Sequence, residues 1–198
     1  ITLMGDTLNH KWLKKYGVTN GTLSEDWVDR DLSYKCLVPY QWPSEKAQKI
    51  AGVRALFMGH FFHWDPQKTY QISKEHGFIA AEKPKTGFYN YADIDDSFLI
   101  TIHHWMKWYK FGFTRLWDNL SIEIRNGRIA REDAIDIIKN VGNEKPMKEI
   151  NLFCQYLGIN QLDFFDIASK FRNKKIWYKN SRGTWFIKNF LVDNWEWD

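Results

Sequence analysis

The sequence predicts an α/β protein in two parts: the end of an α/β unit over residues 1–65, then a mainly helical region over residues 66–198 that finishes in a hairpin. Three observations predict it. The first part holds the short apolar runs Ile1 to Met4 and Val53 to Phe62, separated by polar loops and by Pro39 and Pro43. Runs of that length, bounded by turn residues, read as strands of a parallel sheet buried on both faces. From Pro66 onward the apolar spacing takes a helical period, broken by stop signals. Near the end, Ser181-Arg182-Gly183 lies between aromatic-rich flanks, the pattern of a two-stranded hairpin.

The helices follow in order. Gln67 to His76 is stopped by Gly77, and Ile94 to Tyr109 is entered through Asp93. Thr114 to Asn126 ends at Asn126-Gly127, where glycine accepts the left-handed conformation that closes a helix. In this helix Ile122 is expected to face the core, and Asp118, Ser121 and Arg125, three and four residues apart, form one polar stripe. Such a stripe can hold an anionic substrate, or it can be a solvated face with internal ion pairs. Arg131 to Val141 stops at Gly142, but Ala130 before it has no side-chain oxygen to cap it, a deficit of about 1 kcal/mol. Lys148 to Leu157 and Leu162 to Phe171 precede the hairpin over Ile176 to Lys188.

Composition narrows the classes. With 44% hydrophobic and 26% charged residues among 198, the chain is globular rather than disordered. A net charge of +4 is mild and dispersed, and does not by itself argue for nucleic acid. The 11 tryptophans are expected mostly in the core, although aromatic faces also stack on sugar rings. Cys36 and Cys154 lie far apart with no metal-ligand spacing, so a reduced, cytoplasmic setting is expected, with no zinc site. No apolar run approaches the ~20 residues of a membrane span.

Several clusters are candidates for chemistry. His63, Trp64 and Asp65 follow the apolar run from Val53, and open α/β sheets place ligand loops at strand carboxyl ends. His103, Lys107 and Lys110 fall along one helical side next to His104, as a phosphate or carboxylate holder or as half-buried packing. Asp93, Asp95 and Asp96 either bind a metal or complement a helix dipole, and the latter is favoured.

One stretch is more specific. Asp93-Ile94-Asp95, His104-Trp105, Lys107, Lys110-Phe111-Gly112, Asp118, Ser121, Ile124-Arg125, Gly127, Ile129 and Arg131-Glu132-Asp133-Ala134-Ile135 stand in order and spacing. The run resembles the C-terminal half of the N-acetyl sugar amidotransferases. These are surface-polysaccharide and flagellin-glycan enzymes of the PP-loop ATP pyrophosphatase superfamily, with an adenine nucleotide alpha hydrolase-like fold. Phe62 to Asp65 and Asp166 to Asn173 extend the resemblance.

The resemblance implies an ATP-dependent conversion of a sugar acetamido group to an acetamidino group in lipopolysaccharide O-antigen or flagellin-glycan biosynthesis. ATP would adenylylate the amide oxygen, and ammonia would displace AMP. It implies ATP and Mg2+ as cofactors, and as partners a glutaminase subunit and a cyclase-like subunit that supply ammonia. Lys110, Arg115 and Arg125 would hold an acidic or nucleotide-linked sugar, since guanidinium forks suit carboxylate and phosphate. Asp118 would orient an arginine or a hydroxyl, His63 and Asp65 would lie at the substrate, and Gly5 and Asp6 would face the nucleotide.

Two departures qualify it. Ala130 stands where the family commonly has Thr, and nothing reads Ser-Gly-Gly-x-Asp-Ser, the phosphate loop of the superfamily. The expectation is therefore a C-terminal fragment, inactive alone, whose nucleotide is bound mainly by an upstream half. The alternatives are a non-catalytic sugar- or RNA-binding module, a tRNA-modifying relative, and a helical region that docks the ammonia-supplying partner.

Overall fold

The computed structural model describes residues 7–16, 23–92 and 98–197. Gly5, Asp6, Asp93, Asp95 and Asp96, named above, lie outside them, as does the run Ile1 to Met4. The chain divides into two compact units, Ile1–Trp64 and Asp65–Asp198.

In the first unit, β1 (Thr7–Leu8), α1 (His10–Tyr16), α2 (Tyr34–Leu37), α3 (Glu45–Ala51), β2 (Ala55–Leu56) and α4 (Met58–Phe61) follow in order, with 3-10 turns at Ser24–Trp27 and Val38–Tyr40. β1 pairs antiparallel with β2, Thr7 opposite Leu56 and Leu8 opposite Ala55. The parallel sheet expected from sequence is not what the described residues form. A parallel strand has both faces covered, whereas Val53, Met58 and Phe62 are each more than 60% exposed. The run from Val53 therefore supplies two strand residues and then a helical turn. His63 is exposed and comes seven positions after the end of β2, not at a strand's carboxyl end.

The second unit contains α5 (Pro66–Glu75), α6 (Leu99–Phe111), α7 (Arg115–Arg125), α8 (Arg131–Val141), α9 (Met147–Leu157), α10 (Gln161–Lys170) and the hairpin β3 (Trp177–Lys179) and β4 (Trp185–Ile187). These are the helices and the hairpin that the spacing predicts. α6 buries Thr101, Ile102, Trp105, Trp108 and Tyr109, one face at helical period. Against it pack Ile150 and Cys154 of α9, Phe164 and Ala168 of α10, and Trp177 of β3. At about 25 cal/mol per Å², an indole burying about 200 Å² contributes about 5 kcal/mol before side-chain entropy is subtracted. Tryptophan content is therefore mainly a core device here. A second cluster joins Leu116 and Leu120 of α7 to Ala134 and Ile138 of α8 and to Val192, and Phe190 and Trp195 pack against both clusters.

Arg172 ties the hairpin to α6. Its guanidinium lies 4.3 Å from the Tyr109 ring centre and 4.4 Å from that of Trp177, at 7% exposure. A delocalised cation between two ring faces gains quadrupole attraction.

α7 departs from expectation in one respect. Its buried residues are Leu116, Asn119, Leu120 and Glu123, and Ile122 is only half-buried. The cause lies in the turn after it. Gly127, at φ +68°, donates to Ile124 and the Arg128 amide donates to Glu123, the two crossing bonds of a Schellman cap. That cap returns the Arg128 side chain to the Glu123 carboxylate, which permits a carboxylate to point inward. α8 starts at Ala130 with no side-chain cap, and Glu132 and Asp133 in its first turn complement the dipole instead.

Candidate functional site

An ion-pair network anchors the second unit. Asp65 caps α5, accepting from the Gln67 amide at 3.1 Å, and receives both Arg128 terminal nitrogens, Nη1 to Oδ2 at 2.9 Å and Nη2 to Oδ1 at 3.1 Å. Arg128 also donates to Glu123, from Nε at 2.6 Å and from Nη2 at 2.8 Å, while Gln67 Nε2 donates to the same carboxylate at 3.1 Å. The Tyr89 hydroxyl donates to Glu123 Oε1. Both carboxylates are buried, and a bidentate guanidinium is the geometry that offsets their lost hydration.

The titration shifts follow from these contacts. Hydrogen bonds from Arg128 are the largest cause holding the Glu123 and Asp65 carboxyls below their ordinary values. Burial, then Glu123, pushes the Tyr89 hydroxyl above its ordinary range, and burial pushes Tyr91 up to about 12.

The network holds a loop. Next to Tyr89, the Phe88 amide donates to Oδ1 of Asn119 at 3.0 Å, and Asn119 is 2% exposed. Gly87 has φ +73°, and a Cβ there would overlap Asn119 Oδ1 and meet Arg115 Cγ at 3.0 Å. Only glycine satisfies both the conformation and the approach. One residue earlier, Thr86 Oγ1 lies 2.7 Å from His104 Nδ1, joining the loop to α6.

Beside this loop is a half-open pocket of about 400 Å³, within the range that holds small ligands. Its wall comes from residues 84–87, α6, the start of α7, the α8–α9 connection and Trp195. Four wall residues carry a buried N–H or O–H without a partner among the described residues: Thr101 Oγ1, Trp105 Nε1, Arg115 Nε and Trp195 Nε1. Each of these atoms is closed off from solvent, so leaving its hydrogen bond unmade costs about 1–3 kcal/mol within the wall itself. The α7 N-terminus adds positive potential, and Lys85 and Arg115 add charge. Glu144 and Glu149 in the same lining supply acceptors. The arrangement suits a ligand with oxygen acceptors, a partial or full negative charge, and hydroxyl groups.

The family described as LPS biosynthesis protein WbpG-like, C-terminal domain, matches residues 71–191, more than half of the chain. The chain belongs to this family. Its description points to lipopolysaccharide biosynthesis. No curated protein matches the chain. The matched segment contains the pocket wall from Pro84 to Glu149, while Trp195, Asp65 and Gln67 lie outside it.

In this WbpG-like chain the residues singled out from sequence do not converge on one place. Arg115 lines the pocket. Asp118 is paired with Lys107 on α6, and Lys110 is exposed with its ammonium 5.4 Å from the Phe171 ring centre. Arg125 is exposed and bonds through Nε to the Ser121 carbonyl at 3.2 Å, so the polar stripe partly binds itself. Asp65 is engaged by Arg128 on both oxygens. His63 belongs to the first unit. Sequence reasoning missed Thr101, Trp105, Trp195, Tyr89 and Arg128 as members of the site or its support. Trp105 stood beside His104 in the resembling run and Arg128 inside the arginine-rich turn, but Trp195 and Tyr89 carried no signal beyond being aromatic.

Among the described residues no group of three or more His, Cys, Asp or Glu is placed to hold a metal, and no helix is long and apolar enough to cross a membrane.

Proposed function

We propose that this chain carries the sugar-binding part of an ATP-dependent N-acetyl sugar amidotransferase, which converts an acetamido group to an acetamidino group in lipopolysaccharide O-antigen or flagellin-glycan biosynthesis. The observation that carries this reading is the pocket walled by Lys85, Arg115 and the α7 N-terminus, all inside the matched segment. An acetamido carbonyl and a uronic carboxylate are acceptors that such donors recognise, and a 400 Å³ space accommodates a substituted hexose. Arg115 would bind carboxylate, and the half-buried Trp195 ring would lie against the sugar.

ATP and Mg2+, and a glutaminase and a cyclase-like subunit as ammonia suppliers, belong to this reading through the resemblance. The residues described here do not fit a nucleotide site of the superfamily's kind: no two glycines are adjacent and no Ser-Gly-Gly loop exists. What this chain's residues do is bind and orient the sugar. The loop at Gly87, held by Asn119, sets one wall, and Thr86 orients His104 beside the bound ring.

The test is calorimetry and saturation-transfer NMR of this chain against acetamido hexoses and acetamido hexuronic acids. Binding of an acetamido hexuronic acid is expected, with Arg115→Ala weakening it by about tenfold or more through loss of a charge-assisted bond. Absence of binding by every acetamido sugar, from folded protein, would sink the reading. For the reaction, the chain joined to an ATP-binding half should yield a product lighter by about one mass unit, with AMP and pyrophosphate released.

A further inference from the structure

The pocket adjoins a second hollow of about 700 Å³, and Val141, Gly142, Asn143, Glu144 and Trp195 line both. The two differ in charge. The inner pocket sets Lys85, Arg115 and the α7 N-terminus against Glu144 and Glu149. The outer hollow is built at the C-terminal end of α8, where carbonyls give a negative dipole end. Its other side chains include Asn140, Asn194, Glu196 and Trp197, with Lys139 the one cation among the described residues that line it.

Phosphate chemistry fits this hollow poorly. A diphosphate would meet Glu144, Glu196 and a helix C-terminus, with Lys139 to offset them among the described residues. A neutral sugar ring fits it on each count. Its hydroxyls donate to carboxylate and amide oxygens, and its apolar face has an indole to lie against.

We propose that the groove binds at least two sugar rings, the acidic acetamido ring in the inner pocket and a neutral hexose in the outer hollow. The ligand is then a glycoside rather than a nucleotide-activated single sugar. This deepens the reading given above and rests on it.

Three probes separate the cases by calorimetry on the full chain: the methyl glycoside of an acetamido hexuronic acid, the same acid linked to a neutral hexose, and its uridine diphosphate ester. The disaccharide should bind about tenfold tighter than the methyl glycoside, the gain of one or two hydrogen bonds. Asn140→Ala and Glu196→Gln should each remove much of that gain and leave the methyl glycoside within about twofold. Equal affinity of disaccharide and methyl glycoside, or a uridine diphosphate ester that binds tightest, overturns the two-ring groove while the acetamido sugar site stands. Failure of all three probes to bind overturns the sugar reading and this inference together. The two failures are thereby distinguishable, and retained methyl glycoside binding in both variants confirms that they fold.

Discussion

Glu123 and Asp65 are buried carboxylates that share one guanidinium, so much of the second unit's order passes through Arg128. Their carboxyls lie below the ordinary values of 4.5 and 3.8, which makes the folded state the weaker proton binder. Stability from this source is present above about pH 5 and is lost as the pH falls through the lowered folded values. Acid unfolding followed by tryptophan fluorescence should show this loss below about pH 4, and Arg128→Met should be less stable at neutral pH with a flatter acid limb. An unchanged acid limb in Arg128→Met would place the pH dependence elsewhere. Tyrosines nearby make a matched pair. Tyr89→Phe removes a hydrogen bond to a buried carboxylate and should cost about 1.5–3 kcal/mol in urea unfolding. Tyr91→Phe removes a hydroxyl with no partner among the described residues, and should change stability by less than about 0.5 kcal/mol.

At the scale of elements, the loop carrying Gly87 couples this network to the pocket. Phe88 is bound to Asn119 and Tyr89 to Glu123, both on the buried face of α7, so the loop and helix move as one piece. Gly87→Ala should therefore cost about 2 kcal/mol or more, because the left-handed φ and the overlap with Asn119 add. Gly127→Ala is the control: its φ is +68° but open space surrounds the new methyl, and about 1 kcal/mol is expected. Equal costs in thermal unfolding would mean that the Gly87 loop yields freely and does not shape the pocket. The Schellman cap of α7 shows the same coupling between levels. A turn that sequence spacing marks only as a helix stop also delivers the arginine that lets Glu123 face inward.

For the whole molecule, the two units differ in how much they bury. Among the described residues of the first unit Leu37 alone is buried, at 7% exposed, and Tyr40, Ile50, Met58 and Phe62 are largely exposed. The second unit has two apolar clusters joined by Phe190 and Trp195. A fragment of residues 65–198 should accordingly unfold cooperatively by itself, with coincident far-ultraviolet and tryptophan transitions, and keep the pocket's ligand binding. A fragment without a cooperative transition would show that the second unit depends on residues before Asp65.

What the chain determined by itself is local. The helices from Pro66 to Lys170 and the terminal hairpin were legible because apolar period, stop residues and turn chemistry act over a few positions. The resembling run from Asp93 to Ile135 pointed to surface-polysaccharide biosynthesis, as does the description of the family that residues 71–191 match. Tertiary structure decided the rest. It turned the run from Val53 into two antiparallel residues and a helical turn, put Glu123 rather than Ile122 inside, and gathered Thr101, Trp105, Arg115 and Trp195 around one pocket. Those outcomes depend on which distant groups meet a carboxylate or leave a donor without a partner, and no local spacing carries that information.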